Sequence, residues 1–369
     1  MSRIVNQLNE VLKRGKELEA SDIHLSVGSQ WKYRLNGQIV NIKGLTPLEL
    51  GECIDIIKHL LARSNSVLPE EMDRTITTLR DYDLSYSISG VARFRVNICR
   101  QRGTFAIVFR LIPFDSPTIE ELGLPPIVRQ IAHEERGLVL VTGITGSGKS
   151  TTLAAMIREI NYSKACKIIT IEDPIEFLHR EMKASVIQRE IGSDATDFAV
   201  ALRAALRQDP DIILVGEMRD RETIDIALKA AETGHLVLST LHTTDAPRTI
   251  QRILSVFDLS EQQALRQRLA EALRAVISQR LIPRSDRRGR IAVVEIMLHT
   301  LMVRECIENP EKTSIIRDYI AAGRNQYGMQ TFDQHLMDLF REGIIDLETA
   351  KRTATSPSDF EREVQLSNQ

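Results

Sequence analysis

The chain has 369 residues, of which 43% are hydrophobic and 27% charged, a composition typical of a folded protein with two or three domains. This composition excludes a fibrous or wholly disordered chain, and the 48 basic residues facing 50 acidic ones exclude a chain-wide basic field for nucleic acid or anionic lipid. The 4 cysteines form no C-x-x-C pair, which argues against a zinc ribbon and favours a reducing compartment.

The first part of the chain predicts a small α+β domain over residues 1–112. Apolar residues at helical spacing predict a helix over residues 4–18, where the continuous apolar run of a signal peptide is missing. A second helix is predicted near residues 48–62, and Asn36–Gly37 predicts a hairpin turn. The predicted strands are residues 23–27, 32–35, 39–42, 82–88, 92–99 and 104–111.

A linker is predicted over residues 113–126, which hold 4 of the 12 prolines. The second domain, residues 127–369, opens with apolar runs at 137–143, 167–173, 211–217 and 235–242, separated by helical segments at 150–161, 196–207 and 221–233. This alternation predicts a parallel sheet covered on both faces. Asp220 is expected to cap the third of these helices, and Gly234 to follow its end. From Ser260 onward we expect mostly helix, with a Ser260–Gln263 capping box starting a helix that runs to about Ile277.

A nucleotide-binding motif follows the first apolar run. Residues 143–150, GITGSGKS, match the P-loop pattern at every fixed position, between a predicted strand and a predicted helix. Glycines let the backbone amides turn toward a phosphate chain, Lys149 reaches the outer phosphates, and the Ser150 hydroxyl ligates Mg²⁺. The residues expected to bind a nucleoside triphosphate such as ATP are Thr145, Gly146, Ser147, Gly148, Lys149, Ser150 and Thr151.

Acidic residues end the next two predicted strands. The segment IEDPIE ends one with three carboxylates, and Glu217 follows the other. Both lie where ligands of parallel sheets bind, although each could be a solvated loop acid. His235 and His242 bracket the last strand and point to opposite faces, so one of them is structural. His242, at the carboxyl end, is the better candidate for sensing the γ-phosphate, with a structural role still open.

Several blocks together resemble the secretion-ATPase superfamily, the hexameric motors of type IV pili and type II secretion. The blocks are the P-loop, ITIEDPIEF at 169–177, the run at 206–235 and GHLVLSTLHT at 234–243. SDIHL at 21–25, RFRVN at 93–97 and YGMQTFDQHL at 327–336 resemble the pilus retraction (twitching-motility) branch, the PilT-like ATPases. The resemblance implies a PAS-like N-terminal domain joined to a RecA-like ATPase domain with a helical C-terminal portion.

The resemblance also implies roles for single residues. Glu176 would be the general base, Glu217 would hold Mg²⁺ and its water shell, and His242 would contact the γ-phosphate. Arg95 and Arg110 would complete the site in a closed homohexamer, although by themselves they look like exposed strand-end cations. The implied location is cytoplasmic, at the inner membrane through a pilus platform protein, with a second retraction ATPase as a further candidate partner.

Two departures and two alternatives stay open. SIIRDYIA at 314–321 keeps only part of a helix typical of the branch, which leaves room for an accessory retraction motor. The basic stretch at 284–290 is either a solvated turn or a contact with acidic loops of the platform protein. A pilus-extension or type II secretion ATPase is the nearest alternative, but its usual extra N-terminal domain and four-cysteine module are missing. A RecA-like nucleic-acid translocase is disfavoured by the near-neutral charge and the few aromatics.

Overall fold

A computed structural model describes residues 2–63, 67–114, 116–286 and 288–367. Asp115 of the expected linker and Arg287 of the basic stretch lie outside these ranges. The contacts divide the chain into two compact units. One comprises Met1–Asp115 with Asp173–Leu178 and Glu190–Thr196, and the other comprises Ser116–Glu172, His179–Arg189 and Asp197–Gln369.

The first unit is an antiparallel sheet with three helices. Its helices are α1 (Arg3–Glu17), α2 (Leu50–Arg63) and α3 (Met72–Thr78), with a 3-10 turn at Pro69–Glu71. Its strands are β1 (Asp22–Ser26), β2 (Lys32–Leu35), β3 (Gln38–Asn41), β4 (Asp81–Ile88), β5 (Ala92–Gln101) and β6 (Thr104–Ile112). They are ordered β3-β2-β1-β6-β5-β4. All the helices and strands predicted for residues 1–112 are present, within a few residues of the expected bounds.

The core of the first unit lies between the sheet and helices α1 and α2. The apolar stripe of α1 is buried against the sheet, and the Tyr33 hydroxyl donates to the Val11 carbonyl at 2.7 Å. Gly15 permits this approach, because a Cβ there would already lie 3.1 Å from the Tyr33 ring. Phe94 and Phe109 meet edge to face on neighbouring strands at 6.3 Å between ring centroids.

The second unit is built on a seven-stranded sheet. Its strands are β7 (Gly137–Thr142), β8 (Lys167–Glu172), β9 (Ser185–Glu190), β10 (Ile212–Val215), β11 (Leu236–Leu241), β12 (Leu273–Pro283) and β13 (Arg290–Leu298). Their order is β13-β12-β7-β11-β10-β8-β9, and β12, β7, β11, β10 and β8 run parallel to one another. The carboxyl ends of these parallel strands therefore share one edge of the sheet.

The helices of the second unit include the three predicted between its first strands. They are α4 (Ile127–Ala132), α5 (Lys149–Ser163), α6 (Phe198–Ala205), α7 (Arg221–Glu232), α8 (Ala246–Leu254), α9 (Leu259–Ala272), α10 (Leu301–Glu308), α11 (Ile316–Ala322), α12 (Arg324–Tyr327), α13 (Phe332–Arg341), α14 (Leu347–Thr353) and α15 (Pro357–Ser367), with a 3-10 turn at Pro310–Ile315. The Asp220 side chain caps α7 by accepting the Thr223 amide at 2.9 Å, as expected. Gly234, with φ of 113°, follows its C-cap residue, which confirms the expected helix end. Among the described residues, no helix is both long and apolar enough to cross a membrane.

The expectation of a helix from Ser260 to about Ile277 is wrong. Helix α9 starts one residue earlier, with Asp258 at the N-cap position and no side-chain capping bond, and it ends at Ala272. The chain then continues as β12, which pairs with β7 on one side and β13 on the other. Pairing on both edges and burial on both faces outweigh the helical pattern of this run.

The predicted domain 127–369 also contains two segments whose contacts lie elsewhere. Asp173–Leu178 and Glu190–Thr196 belong to the first unit. In that unit the Leu178 amide donates to the Pro113 carbonyl at 3.1 Å. The segment that carries Glu176 is therefore anchored to the N-terminal sheet, which no local sequence pattern reveals.

Candidate functional site

The connection between β7 and α5 forms a cradle of backbone amides. Gly143 has φ of 147°, and a Cβ there would lie 2.4 Å from the carbonyl oxygen of Gln279. Gly148, with φ of 90°, precedes the first residue of α5, and a Cβ there would lie 2.8 Å from the Gln279 amide nitrogen. No larger residue is accommodated at either position. The tight loop leaves the unpaired amides of the α5 N-terminus directed at one anion-binding site.

Lys149 is folded back over this loop. Its Nζ donates to the carbonyl oxygens of Gly143 at 3.0 Å and Ile144 at 3.2 Å, and the residue is only 8% exposed. The Ser147 hydroxyl is buried in the same loop, and no hydrogen-bond partner for it occurs in the described part of the chain. A buried hydroxyl without a partner is costly. A phosphate oxygen bound in the cradle would satisfy it.

Gln279 holds the cradle from the neighbouring strand β12. Its amide nitrogen donates to the Ser147 carbonyl and its amide oxygen accepts from the Thr152 hydroxyl, both at 2.8 Å. Sequence reasoning missed this residue because it expected a helix across the start of β12. The β-branched pair Val276–Ile277, followed by Pro283, was the available signal for a strand.

Glu217 lies just beyond β10, at the edge where the P-loop lies beyond β7. Hydroxyls of the intervening strand β11 fix the backbone before it, Ser239 donating to the Val215 carbonyl at 2.7 Å and Thr240 to the Gly216 carbonyl at 2.6 Å. Gly216 passes close to β8, where a Cβ would lie 3.2 Å from the Ile171 carbonyl oxygen. The strand order and these bonds bring Glu217 to the same edge as the P-loop.

The Glu217 carboxylate is kept ionised by two neighbours. Its Oε2 lies 2.7 Å from the Arg219 guanidinium and 3.3 Å from His242 Nε2. Burial opposes ionisation, but the Arg219 hydrogen bond and the His242 charge outweigh it and lower the pKa of Glu217. An ionised carboxylate at this edge is an oxygen ligand suited to Mg²⁺.

The two histidines at the ends of β11 differ in their surroundings. His242, at the carboxyl end, reaches Glu217 with a side chain that is 42% exposed. His235 lies at the opposite end, where its Nδ1 is 2.9 Å from the carbonyl oxygen of Ala230 at the end of α7. His242 is therefore the histidine that lies at the P-loop edge of the sheet. His235 instead contacts a backbone carbonyl oxygen in the last turn of α7.

The acidic segment after β8 is divided between the two units. Glu172 Oε1 accepts from the Thr170 hydroxyl at 2.7 Å and from the Gln188 amide at 3.3 Å, both within the second unit. Glu176 belongs to the first unit and is exposed. Among the carboxylates of IEDPIE, Glu172 thus accepts hydrogen bonds from neighbouring side chains. Glu176 is exposed on a loop that is hydrogen-bonded to the first unit through Leu178.

Arg95 and Arg110 belong to the first unit as well. They are paired in register on β5 and β6. The Arg110 Nε donates to Asp22 Oδ1 at 2.9 Å, and Arg95 Nε lies 3.9 Å from Asp83 Oδ1. Burial opposes ionisation of Asp22, but Ser21 and Arg110 outweigh it and lower the pKa of Asp22. The two arginines thus lie on neighbouring strands, each beside an acidic residue, in a unit that carries neither the P-loop nor Glu217.

The basic stretch after β12 lines a cavity of about 470 Å³ in the second unit. Gly148 and Thr151 of the P-loop side bound it together with Arg284, Arg288 and Arg290. The cavity therefore adjoins the cradle, and its volume is large enough for a nucleoside. This setting gives the basic stretch a location beside the P-loop that the sequence did not reveal.

The model of the type II/IV secretion system protein family matches residues 1–352. The chain belongs to this family. The type IV pilus retraction ATPase PilT of Pseudomonas aeruginosa is 44% identical over 353 residues, 96% of this chain and 99% of that protein. A twitching motility protein of Neisseria gonorrhoeae is 45% identical over 323 residues, 87% of this chain and 83% of that protein.

A solved crystal structure has the same fold as this chain. The crystal structure of the pilus retraction motor PilT with bound ADP is 42% identical, with a TM-score of 0.80, and the alignment covers 96% of this chain and 98% of that one. These matches confirm the family and the retraction branch that the motifs indicate. They also confirm the α/β class, with an N-terminal domain followed by an ATPase domain. The role of each site residue stays a prediction.

Proposed function

We propose that this chain is an ATP-hydrolysing motor that powers type IV pilus retraction. The observation that carries the proposal is the P-loop cradle with Lys149 over it, at the sheet edge where Glu217 and His242 lie 3.3 Å apart. The near full-length similarity to PilT, whose solved structure holds ADP, supports both the nucleotide and the biological role.

ATP binds with its phosphates in the cradle and its nucleoside in the cavity lined by Arg284 and Arg288. The Ser147 hydroxyl and the backbone amides around Gly146 and Gly148 donate hydrogen bonds to the phosphate oxygens. Lys149 gives up its hydrogen bonds to the two carbonyl oxygens and binds the outer phosphates instead. Its ammonium group interacts more strongly with negatively charged phosphate oxygens than with neutral carbonyl oxygens. Thr145 and Thr151 flank the same loop and complete the binding set.

The residues at this edge suit Mg²⁺, which prefers hard oxygen ligands. Ser150 is exposed at the start of α5, and it would hold the ion together with Glu217, whose ionised carboxylate would bind the ion and its water shell. The described residues contain no cluster of three or more His, Cys, Asp and Glu side chains that could hold a metal by itself. The phosphates of the nucleotide would supply the other ligands. When bound, the ion neutralises developing charge on the phosphates.

Three further groups act on the reacting phosphate. Glu176 is the general base that takes a proton from the attacking water. His242, next to Glu217, contacts the γ-phosphate and reports its presence. Arg95 and Arg110 stabilise the charge of the transferring phosphoryl group in a neighbouring subunit, so that the homohexamer is the complete catalyst.

The motor acts on a pilus from the cytoplasmic side. It associates with the inner membrane through a platform protein, and a second retraction ATPase joins it there. ATP hydrolysis changes the relation between the two units of each subunit around the proline-rich stretch at 113–126. No nucleic acid takes part.

Deleting the gene in the native host tests the direction of the motor. A retraction motor leaves cells with abundant surface pili and no twitching, whereas an extension motor leaves them without pili. Reintroducing the wild-type chain restores twitching, and reintroducing Lys149→Ala does not. Loss of pili in the deletion strain would refute retraction and favour extension.

A further inference from the structure

The first unit contains a buried carboxylate, Glu190, that the sequence analysis did not identify as a functional residue. Glu190, the last residue of β9, is only 4% exposed. One oxygen accepts from the Ser85 hydroxyl of β4 at 2.5 Å, and the other lies 3.1 Å from the Arg93 guanidinium of β5. Burying a carboxylate is costly unless it is paired and hydrogen-bonded, and Glu190 is both.

The third group that Glu190 holds is a backbone amide of the acidic segment. Glu190 Oε2 accepts the Ile175 N–H at 3.1 Å, one residue before Glu176. On the other side of Glu176, the Leu178 amide donates to the Pro113 carbonyl at 3.1 Å. Ile175 itself is 3% exposed. Glu176 therefore lies in a short loop whose backbone is hydrogen-bonded on both sides of it, and Glu190 accepts one of these two hydrogen bonds.

We propose that Glu190 is the positioning residue for Glu176. It ties the backbone of the acidic segment to β4 and β5, so that the position of the base follows the N-terminal sheet that also carries Arg95. The proposal rests on the proposed function, in which Glu176 is the general base. A base must stand within hydrogen-bond reach of the water it activates, and an error of about 1 Å can cost about 10²-fold in rate.

Three variants separate positioning from structure. Glu190→Ala removes the acceptor of the Ile175 amide, and we expect kcat for ATP hydrolysis to fall about 10- to 100-fold. KM for ATP and the affinity for a fluorescent ADP analogue should change less than about 3-fold, because the nucleotide cradle is untouched. Glu190→Gln keeps an acceptor oxygen and should retain most of kcat. Glu190→Asp keeps the charge but withdraws it by one methylene, and should lower kcat without changing KM even if Glu190→Ala does not fold.

Glu181 offers a matched control at the start of the same strand region. It also accepts a serine hydroxyl and a backbone amide, from Ser185 at 2.8 Å and Val186 at 2.9 Å. Unlike Glu190, it is exposed, belongs to the second unit and bonds no residue of the segment Asp173–Leu178 in these two contacts. Glu181→Ala should leave kcat unchanged. If the loss of any carboxylate in this region lowered activity, kcat would fall in both Glu190→Ala and Glu181→Ala, and that result would contradict the proposal.

The decisive comparison places Glu190→Ala in the Glu176→Gln background and measures single-turnover hydrolysis. With the base already removed, its position no longer matters, so the second substitution should add no further loss. An undiminished further loss, a rise in KM that matches the fall in kcat, or wild-type kcat in both Glu190→Ala and Glu190→Asp would overturn the proposal. If Lys149→Ala and Glu176→Gln remain inactive in that case, the proposed ATPase function still stands.

Discussion

Arg95 and Arg110 lie directly opposite each other on the antiparallel strands β5 and β6. Like charges placed so close repel each other. Asp22, which is paired with Arg110 across β1 and β6, and Asp83 beside Arg95 offset this repulsion. Arg110 nevertheless stays 68% exposed on its side chain. An arrangement that keeps two cations together and accessible is suited to an anion supplied from outside the unit.

Replacing either arginine with alanine should separate catalysis from stability. Exposed charges contribute about 0–1 kcal/mol to stability, so the melting temperature of Arg95→Ala should hardly change. If the guanidinium groups act on the transferring phosphoryl group, turnover should fall by something like 10³–10⁵-fold. Steady-state ATP hydrolysis and thermal unfolding of the same preparations provide the measurement. Wild-type turnover in both variants would show that the two arginines are surface charges without a role in ATP hydrolysis.

A mixing experiment tells whether the arginine acts on a neighbour. Arg110→Ala and Glu176→Gln should each be nearly inactive alone. Rings assembled from both should regain activity, because some interfaces pair an intact arginine with an intact base. Mass spectrometry of the assemblies verifies mixing. Mixed rings without recovered activity would mean that Arg110 serves its own subunit or no site at all.

Lys149→Ala should abolish hydrolysis and weaken nucleotide binding without unfolding the chain. The variant loses the cation that lies over the P-loop, where its Nζ contacts the carbonyl oxygens of Gly143 and Ile144. Hydrolysis and binding of a fluorescent ATP analogue are measured beside circular dichroism. Unchanged turnover would refute the assignment of the nucleotide site.

Glu176→Gln and Glu217→Gln should both bind ATP and hydrolyse it poorly, for different reasons. Loss of a general base typically costs ~10²–10⁴-fold, so residual activity at or below about 1% is expected for Glu176→Gln. Glu217→Gln should in addition require more Mg²⁺ for half-maximal activity, because an amide is a weaker ligand than a carboxylate. Titrating Mg²⁺ at saturating ATP makes the comparison. Full turnover in Glu176→Gln alone would move the base to another carboxylate.

Stability should depend on pH through Glu295 of β13. Its buried carboxyl accepts the Ala246 amide at 2.9 Å, and burial raises the pKa of Glu295 from 4.5 to about 7. Because the pKa of Glu295 is higher in the folded chain, the stability that its neutral carboxyl contributes is complete below 4.5, the ordinary pKa that the residue has in the unfolded chain. This contribution to stability is lost as the pH rises through about 7, the pKa in the folded chain. Glu295→Gln, which mimics the neutral form, should therefore melt higher than wild type near about pH 8.5, with a gain of at most about 3 kcal/mol.

The gain of Glu295→Gln should disappear near about pH 5, where the wild-type carboxyl is protonated in the folded chain. Glu311→Gln, at an exposed position, serves as the control and should show no such trend. A difference in melting temperature that is the same at both pH values would contradict the role of ionisation.

The sequence predicted those parts of the fold and site that local patterns determine. The P-loop needs particular residues at fixed spacing, and the strand before it, β7, is apolar on both faces, so both could be located from the residues alone. Asp220 and Gly234 marked the ends of α7 for the same reason. Arg95 and Arg110 were singled out only through the resemblance, and their register opposite each other was not predicted, because pairing across strands leaves no local trace.

What could not be predicted depends on contacts between distant residues. The start of β12, the strand that carries Gln279, was expected as the end of a helix but forms a strand through its pairing with β7 and β13. Glu190 is one polar residue in a polar segment, and only its burial against Ser85 and Arg93 distinguishes it. The same holds for the membership of Asp173–Leu178 in the first unit.

The most direct test of the central claim is to watch single pili on living cells. In a strain that lacks the chromosomal copy, fluorescently labelled pili are imaged while the wild-type chain or Glu217→Gln is supplied. With the wild-type chain, pili should extend and retract. With Glu217→Gln, we expect extension at the normal frequency and a collapse of retraction events. Retraction at the normal frequency, or a failure of extension with Glu217→Gln, would contradict the account.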